Sequence, residues 1–288
     1  SYDVRAFNFT IQAQRPALTL SNGVVYVAWA SHCDWGGYSG WIMGFDAKNL
    51  LYKTSFATTL SDLNKGWGGI WMSGQGLTVD TAGNLYCVTG NGQFTFNADM
   101  SKMKDWGMCY LKFGIDSKGR ISVKDYFAPS DRDAWNAADL DLGSAGAMMI
   151  PETNLILGGS KTGILYLLNT DNMGQFVQSA KDGNAYEALP ATTGEIHGAP
   201  VYYNSPVLGR TVFVWGDNDV LKGFSFTRDQ KLAAEPIGRS VDGAPDPGGI
   251  LSISSNANQD GTGIVWANRR QSGNQLSGVL QAYDADTL

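Results

Sequence analysis

Charge is scarce in this chain. Only 17% of its 288 residues are Asp, Glu, Lys or Arg, where about 25% is usual. Hydrophobic residues still make up 43%, so a disordered tail, a coiled coil and a charged helical bundle are excluded. Lys and Arg never cluster beyond Arg269-Arg270, and the formal net charge is −6. Nucleic acid and anionic membrane surfaces both call for a basic face, and neither is expected as a partner. No run approaches the roughly 20 apolar residues of a membrane-spanning helix. Cysteine occurs three times, at spacings that match no zinc pattern. Cys87 and Cys109 fall in strand-like runs expected to be neighbours, which leaves a bridge and two buried thiols both open. No signal-peptide pattern is present, and a chain that starts at Ser1 reads as processed or trimmed. One sequon, Asn8-Phe9-Thr10, carries little weight alone.

Glycine is abundant: 36 of 288 residues, or 12.5%, against about 7% on average. Aromatic residues number 33 (9 Trp, 12 Tyr, 12 Phe). Many glycines and aromatics with few charges suit short, buried strands joined by turns, and the chain reads as all-β.

A β-branched or aromatic run recurs five times: Val24–Trp29, Leu85–Gly90, Leu155–Ser160, Val212–Asp217 and Ile264–Asn268. Their starts lie 61, 70, 57 and 52 residues apart. Each is preceded by a short apolar segment (Ala17–Leu20, Gly76–Val79, Ala145–Ile150, Gly198–Tyr203, Gly249–Ile253) and followed by a further strand such as Trp41–Asp46 or Ile164–Asn169. Four units add a fourth strand, such as Leu51–Phe56 and Ile121–Phe127. Four antiparallel strands per unit is the plan of a β-propeller blade. The expected organisation is one domain, 1–288, with blades at about 11–60, 74–128, 144–180, 197–237 and 248–288. The fifth unit lacks a fourth strand, and Asp3–Thr10 reads as a lone strand of a closing or a preceding blade.

The first three units join strands one and two by tight turns such as Ser21-Asn22-Gly23 and Thr81-Ala82-Gly83. In an up-and-down blade these turns fall on one face of the disc. The links that fall on the other face are mostly long: 30–40, 61–75, 91–107, 128–144, 180–197 and 238–248. One face is trimmed and the other elaborated, so function is expected on the elaborated face.

The runs GVVYVAWASHCDWGGYSGWIMGFDAKNL, GGIWMSGQGLTVDTAGNLYCVTGNG, IHGAPVYY, VFVWGDNDVLKGFSF and PGGILSISSNANQDGTGIVWA resemble the PQQ-like repeat proteins of the quinoprotein alcohol dehydrogenase-like superfamily. The resemblance spans nearly the whole chain and implies about five blades of a seven- or eight-bladed ring. It transfers function poorly. The PQQ enzymes of that superfamily use a vicinal cysteine pair, a Trp stacked on the quinone, a calcium held by Glu and Asn, and an Asp base. Cys33, Cys87 and Cys109 are never adjacent, and the calcium set cannot be placed residue by residue.

Candidate site residues fall on the elaborated face. His32 and Asp34, two apart in an extended loop, offer a metal half-site or a His–carboxylate pair. Glu195 and His197 precede an innermost strand; with His32 and Asp34 they would bind a divalent cation if the ring brings them together. Trp67 and Trp71 flank Gly68-Gly69, where glycines would let a flat ligand reach the backbone, although packing between blades is the commoner role of such Trp. Trp35, Trp106 and Trp135, with polar neighbours, are surface candidates. Asp139 and Asp141, and likewise Asp217 and Asp219, alternate at strand spacing and offer oxygen to calcium, although turn capping is their usual task. Arg269 completes the candidate ligand-binding set. The serines near Gly143-Ser144 form no nucleophile elbow.

The reading expected first is an extracytoplasmic scaffold, secreted, periplasmic or at the cell surface, that binds a carbohydrate, small molecule or protein. The second is a PQQ- and calcium-dependent alcohol or sugar dehydrogenase with further site residues outside this chain. The third is a glycosidase using Asp139 or Asp141 with Glu195.

Overall fold

The computed structural model describes residues 5–62, 64–178, 181–256, 259–271 and 274–288. Its apolar runs form strands because they can be covered on both faces. Leu85–Val88 shows how. Leu85 and Cys87 face one buried cluster, with Tyr26, Ile42 and Phe113, while Tyr86 and Val88 face another, with Tyr110, Phe127, Ile156 and Tyr166. A strand buried on both sides reads as an unbroken apolar run rather than an alternation.

Five antiparallel sheets result. The first holds β1 (Gln12–Ala13), β2 (Thr19–Ser21), β3 (Val24–Ser31), β4 (Trp41–Asp46) and β5 (Tyr52–Ala57). The second runs β6 (Thr78–Val79), β7 (Leu85–Val88), β8 (Tyr110–Ile115), β9 (Ile121–Phe127), and the helix α1 (Arg132–Ala137) follows it. The third is β10 (Ala147–Ile150), β11 (Leu155–Gly159), β12 (Ile164–Asn169), β13 (Glu187–Pro190). The fourth is β14 (Val201–Ser205), β15 (Gly209–Val214), β16 (Asp219–Ser225), β17 (Gly238–Ala244). The last has β18 (Gly249–Ser254), β19 (Ile264–Gln271) and β20 (Asn274–Asp284). This is an all-β partial propeller. Large aromatics wedge its sheets apart: Trp215, fully buried, meets Tyr283 edge-on at 5.8 Å and donates its indole N–H to the Asp219 carbonyl.

Several local expectations need correction. Segments 187–190 and 238–244, read as parts of linking loops, are the outer strands β13 and β17. Both hide on sequence grounds: β13 ends in a proline, tolerated at an edge, and β17 is polar and glycine-containing because an outermost strand need not be apolar. Of the expected strand 3–10, residues 3 and 4 lie outside the described residues, and 5–10 form no strand. That stretch is pinned to the first sheet by side chains instead: Phe7 packs edge-on against Trp29 and Trp41, and the Arg5 guanidinium donates to the carbonyls of Gly37, Tyr38 and Asp62. It therefore does not complete the last sheet. The innermost strand of the first sheet is split into β1 and β2, both paired to β3, because Pro16 has no N–H to give and the chain bulges over 14–18. Cys87 and Cys109 are both free and buried, and burial pushes both thiols up.

Aspartates organise the trimmed face. Asp80 accepts from the backbone of Ala82 and Asn84, the Asn84 amide and the Tyr86 hydroxyl, at 2.7–3.0 Å. Burial pushes its carboxyl up, but these donors outweigh burial and hold it below the ordinary range. A depressed folded-state pKa means stabilisation that is present above the unfolded value and lost as pH falls through the folded one. Asp80→Ala is expected to cost about 2 kcal/mol near neutrality, a loss that shrinks on acidification; denaturant titrations at pH 7 and pH 3 check this.

Candidate functional site

Links from all five sheets meet on the elaborated face around one cavity of about 540 Å³. Ala13 reaches it from the end of β1, Arg15 from the bulge at Pro16, and His32, Cys33 and Asp34 from the turn after β3. Trp71 comes from the link into β6. Asp139, Asp141 and Ser144 come from the stretch after α1, and Lys161 from the β11–β12 turn. His197 and Pro247 complete the lining from the links into the fourth and fifth sheets.

The floor is an ion-paired cluster. The Lys161 ammonium lies 2.8 Å from Asp141 Oδ2, 3.1 Å from Asp139 Oδ2 and 2.9 Å from the Asp139 carbonyl. The Asn91 backbone N–H donates to Asp141 Oδ1 at 2.7 Å, and the Asn91 amide to Asp139 Oδ1 at 2.7 Å. Burial pushes the Asp141 carboxyl up despite these partners. Burial also pulls the Lys161 ammonium down, but its bonds and charge contacts with Asp141 and Asp139 outweigh this and hold it above the ordinary lysine range.

One wall is Trp71, edge-on to Tyr38 at 6.2 Å. The glycines beside it serve the indole itself rather than an incoming flat ligand. A Cβ on Gly90 would lie 2.7 Å from Trp71 Cδ1 and 2.3 Å from Asp141 Oδ1, and one on Gly69 would lie 3.0 Å from Trp71 Nε1. On the rim the loop 32–36 turns through two consecutive left-handed residues, Cys33 and Asp34. The buried Tyr38 hydroxyl fixes it by donating to Asp34 Oδ1 at 2.6 Å, and burial, then that carboxylate, pushes the phenol up. His197 Nε2 lies 3.1 Å from Glu195 Oε2 without hydrogen-bond alignment. Ser144 donates to the Ile196 carbonyl at 2.7 Å, which commits its hydroxyl hydrogen.

Of the residues singled out in the sequence, His32, Asp34, Trp71, Asp139, Asp141 and His197 line this cavity. Five do not. Trp35 is exposed on the same rim, with its backbone N–H donating to the His32 carbonyl. Trp67 is held in a left-handed turn bridged to Ser39 and Gly92. Glu195 sits behind His197, and Asp217 accepts the Glu195 N–H, a structural cap. Arg269 stacks on Trp215 at 5.7 Å and donates to Gln281. Trp106, read as a surface residue, is buried edge-on to Tyr126. Arg15 and Lys161 escaped notice: one precedes a strand-breaking proline, the other sits in a short turn that length alone does not mark.

The oxygens of Asp139 and Asp141 do not fit calcium, because an ammonium already occupies the place between them. Among the described residues no three or more of His, Cys, Asp and Glu converge as a metal-ligand set. His32, Asp34, Glu195 and His197 therefore do not form the four-ligand site. No cysteine pair faces the cavity either, since Cys87 and Cys109 are buried within the sheets and Cys33 is alone.

The chain has a β-propeller fold that is also found in several solved structures. Among solved structures it is similar to the Dos1 propeller, at 11% identity over 94% of this chain and 55% of that one, with a TM-score of 0.53. It is also similar to the quinohemoprotein alcohol dehydrogenase ADHIIG from Pseudomonas putida HK5, at 12% identity over 94% and 50% of the two chains and a TM-score of 0.50. A glucose dehydrogenase is similar at 11% identity over 92% and 78%, again with a TM-score of 0.50. The chain thus spans about half the length of the first two. No protein-family model matches the sequence, and no curated protein matches it. Among the described residues no helix is long and apolar enough to cross a membrane.

Proposed function

We propose that this protein is a binding propeller that takes a small hydroxylated ligand, of the carbohydrate class, into the cavity on its elaborated face. The observation that carries this is the convergence of all five sheets on one cavity of about 540 Å³, within the range of ligand sites. Its lining mixes donors and acceptors (His32, Asp34, His197) with a single aromatic wall, Trp71. Hydroxyl groups need such a mixture, because each both donates and accepts. Two cationic side chains stand against three carboxylates, a poor match for a tricarboxylate quinone. The same reading sets the protein outside the cytoplasm, secreted or at the cell surface, where glycans are met.

Thermal unfolding and calorimetry against a panel of mono- and disaccharides test this. A saturating ligand is expected to raise Tm by several degrees, and His197→Ala to weaken that ligand about tenfold without lowering the Tm of the free protein. Chelator is expected to leave both Tm and affinity unchanged. A flat response to the panel, or uptake of PQQ with calcium and a red-shifted quinone absorbance, would overturn the proposal.

A further inference from the structure

Which charge in the cavity is left for a ligand decides the ligand's own charge. Lys161 is satisfied by three oxygens from Asp139 and Asp141, so its ammonium has little left to offer. Asp34 already accepts from the Tyr38 hydroxyl, and Asp139 from the Asn91 amide. Arg15 differs. Its side chain is exposed, and among the described residues its guanidinium makes no ion pair or hydrogen bond. It stacks on the Trp71 ring, with Cζ 5.3 Å from the ring centroid.

A guanidinium held over an aromatic ring leaves its N–H groups around the rim, free to donate. It is more weakly hydrated than an ammonium and matches a carboxylate with two parallel hydrogen bonds. Stacking on the indole also reduces the rotamer freedom that a free arginine would lose on binding. The chain itself sets this position: Pro16 breaks the innermost strand, and the bulge it forces is closed by the Gln14 side chain donating to the Pro16 carbonyl. An arginine at a regular strand position would follow the sheet, whereas this one lines the cavity.

From this geometry we infer that the preferred ligand is a sugar acid, with its carboxylate on Arg15 and its hydroxyls on the groups around His32, Asp34 and His197. The inference rests on the carbohydrate reading and narrows it. A single carboxylate suits the one unpaired cation, while a polyanion would meet the three carboxylates already lining the site.

Calorimetry at low salt with D-glucuronate, D-galacturonate and D-mannuronate, each beside its methyl ester and its neutral parent hexose, provides the test. For the hexose series that binds, the acid is expected to bind at least about tenfold more tightly than its ester, with the ratio falling as salt is raised. Arg15→Ala is expected to bring the ratio to about one while the neutral sugar keeps its affinity, and Arg15→Lys to lie between. Because Arg15 is exposed, Tm should not move, which separates loss of recognition from loss of fold. Equal binding of acid and ester would overturn the sugar-acid inference and leave the carbohydrate reading standing. So would an acid preference that survives in Arg15→Ala. If no acid, ester or hexose binds, both fall together.

Discussion

Replacing Lys161 by methionine is expected to cost about 3 kcal/mol of folding stability at neutral pH, and distinctly less at pH 4. Methionine keeps most of the aliphatic volume but removes the cation that holds two carboxylates together. Asp141, only 8% exposed, would keep the Asn91 N–H but lose its counter-charge. Removing one member of a buried pair costs more than the pair itself contributes, because the remaining charge stays desolvated. The figure is set at the low end of the usual range, since Asp139 is open to water. The pH dependence follows from sign. The Asp141 carboxyl is already pushed up by burial with Lys161 present, and it rises further without it. A group whose folded-state pKa is raised destabilises the fold in its charged form, so the penalty is present above that pKa and relieved as pH falls through it. Denaturant titrations at pH 7 and pH 4 measure the difference. A loss independent of pH would mean that the damage is one of packing. The double change Lys161→Met with Asp141→Asn is expected to recover most of the stability, because no charge is then stranded.

Gly107→Ala is expected to be the second severe change, at about 3 kcal/mol or more. A Cβ there would lie 2.3 Å from the Gly92 carbonyl carbon and 2.4 Å from its oxygen, while a Cβ on Gly92 would lie 2.3 Å from the Gly68 nitrogen. Three backbone segments, two of them the opposite ends of the link 91–107, cross at this point. They are tied by Gly68 N–H to Asn91 carbonyl at 2.6 Å and Gly107 N–H to Gln93 carbonyl at 2.7 Å. Backbone cannot rotate out of the way as a side chain can, so a methyl group must pry the links apart. Gly119 is the control: its φ is +79°, but nothing lies within 4 Å of a Cβ built there. Gly119→Ala should cost only about 1 kcal/mol, the penalty of a left-handed backbone. Comparable losses at the two positions would show that backbone conformation, not crowding, sets the cost.

These two positions mark where sequence reasoning reached and where it stopped. The repeated runs around Val24, Leu85, Leu155, Val212 and Ile264 were legible because strands covered on both faces must be apolar throughout, and that leaves a signal local in sequence. The outer strands β13 and β17 left no such signal, since one edge of each faces water. Within the site, His32, Asp34, Trp71, Asp139, Asp141 and His197 stood out as chemistry-bearing residues on the elaborated links. What joins Asp139 and Asp141 is Lys161, a non-local partner in a short turn, and no spacing rule predicts it. Arg269 and Asp217 show the converse: placed in the right region, each is spent on a neighbour, Trp215 for one and the Glu195 backbone for the other.

Among the described residues the sheets bury their faces in four separate clusters, each shared by two consecutive sheets. Such a body behaves as a row of leaves bound spine to spine, and fraying at one end need not be felt at the other. The cavity is the exception, because all five leaves touch it. A molecule lodged there would act as a rivet. Its binding energy would be felt by leaves that share no buried cluster, turning a sequence of local openings into a single cooperative transition, which hydrogen exchange with and without ligand would display as a convergence of protection from the first sheet to the last.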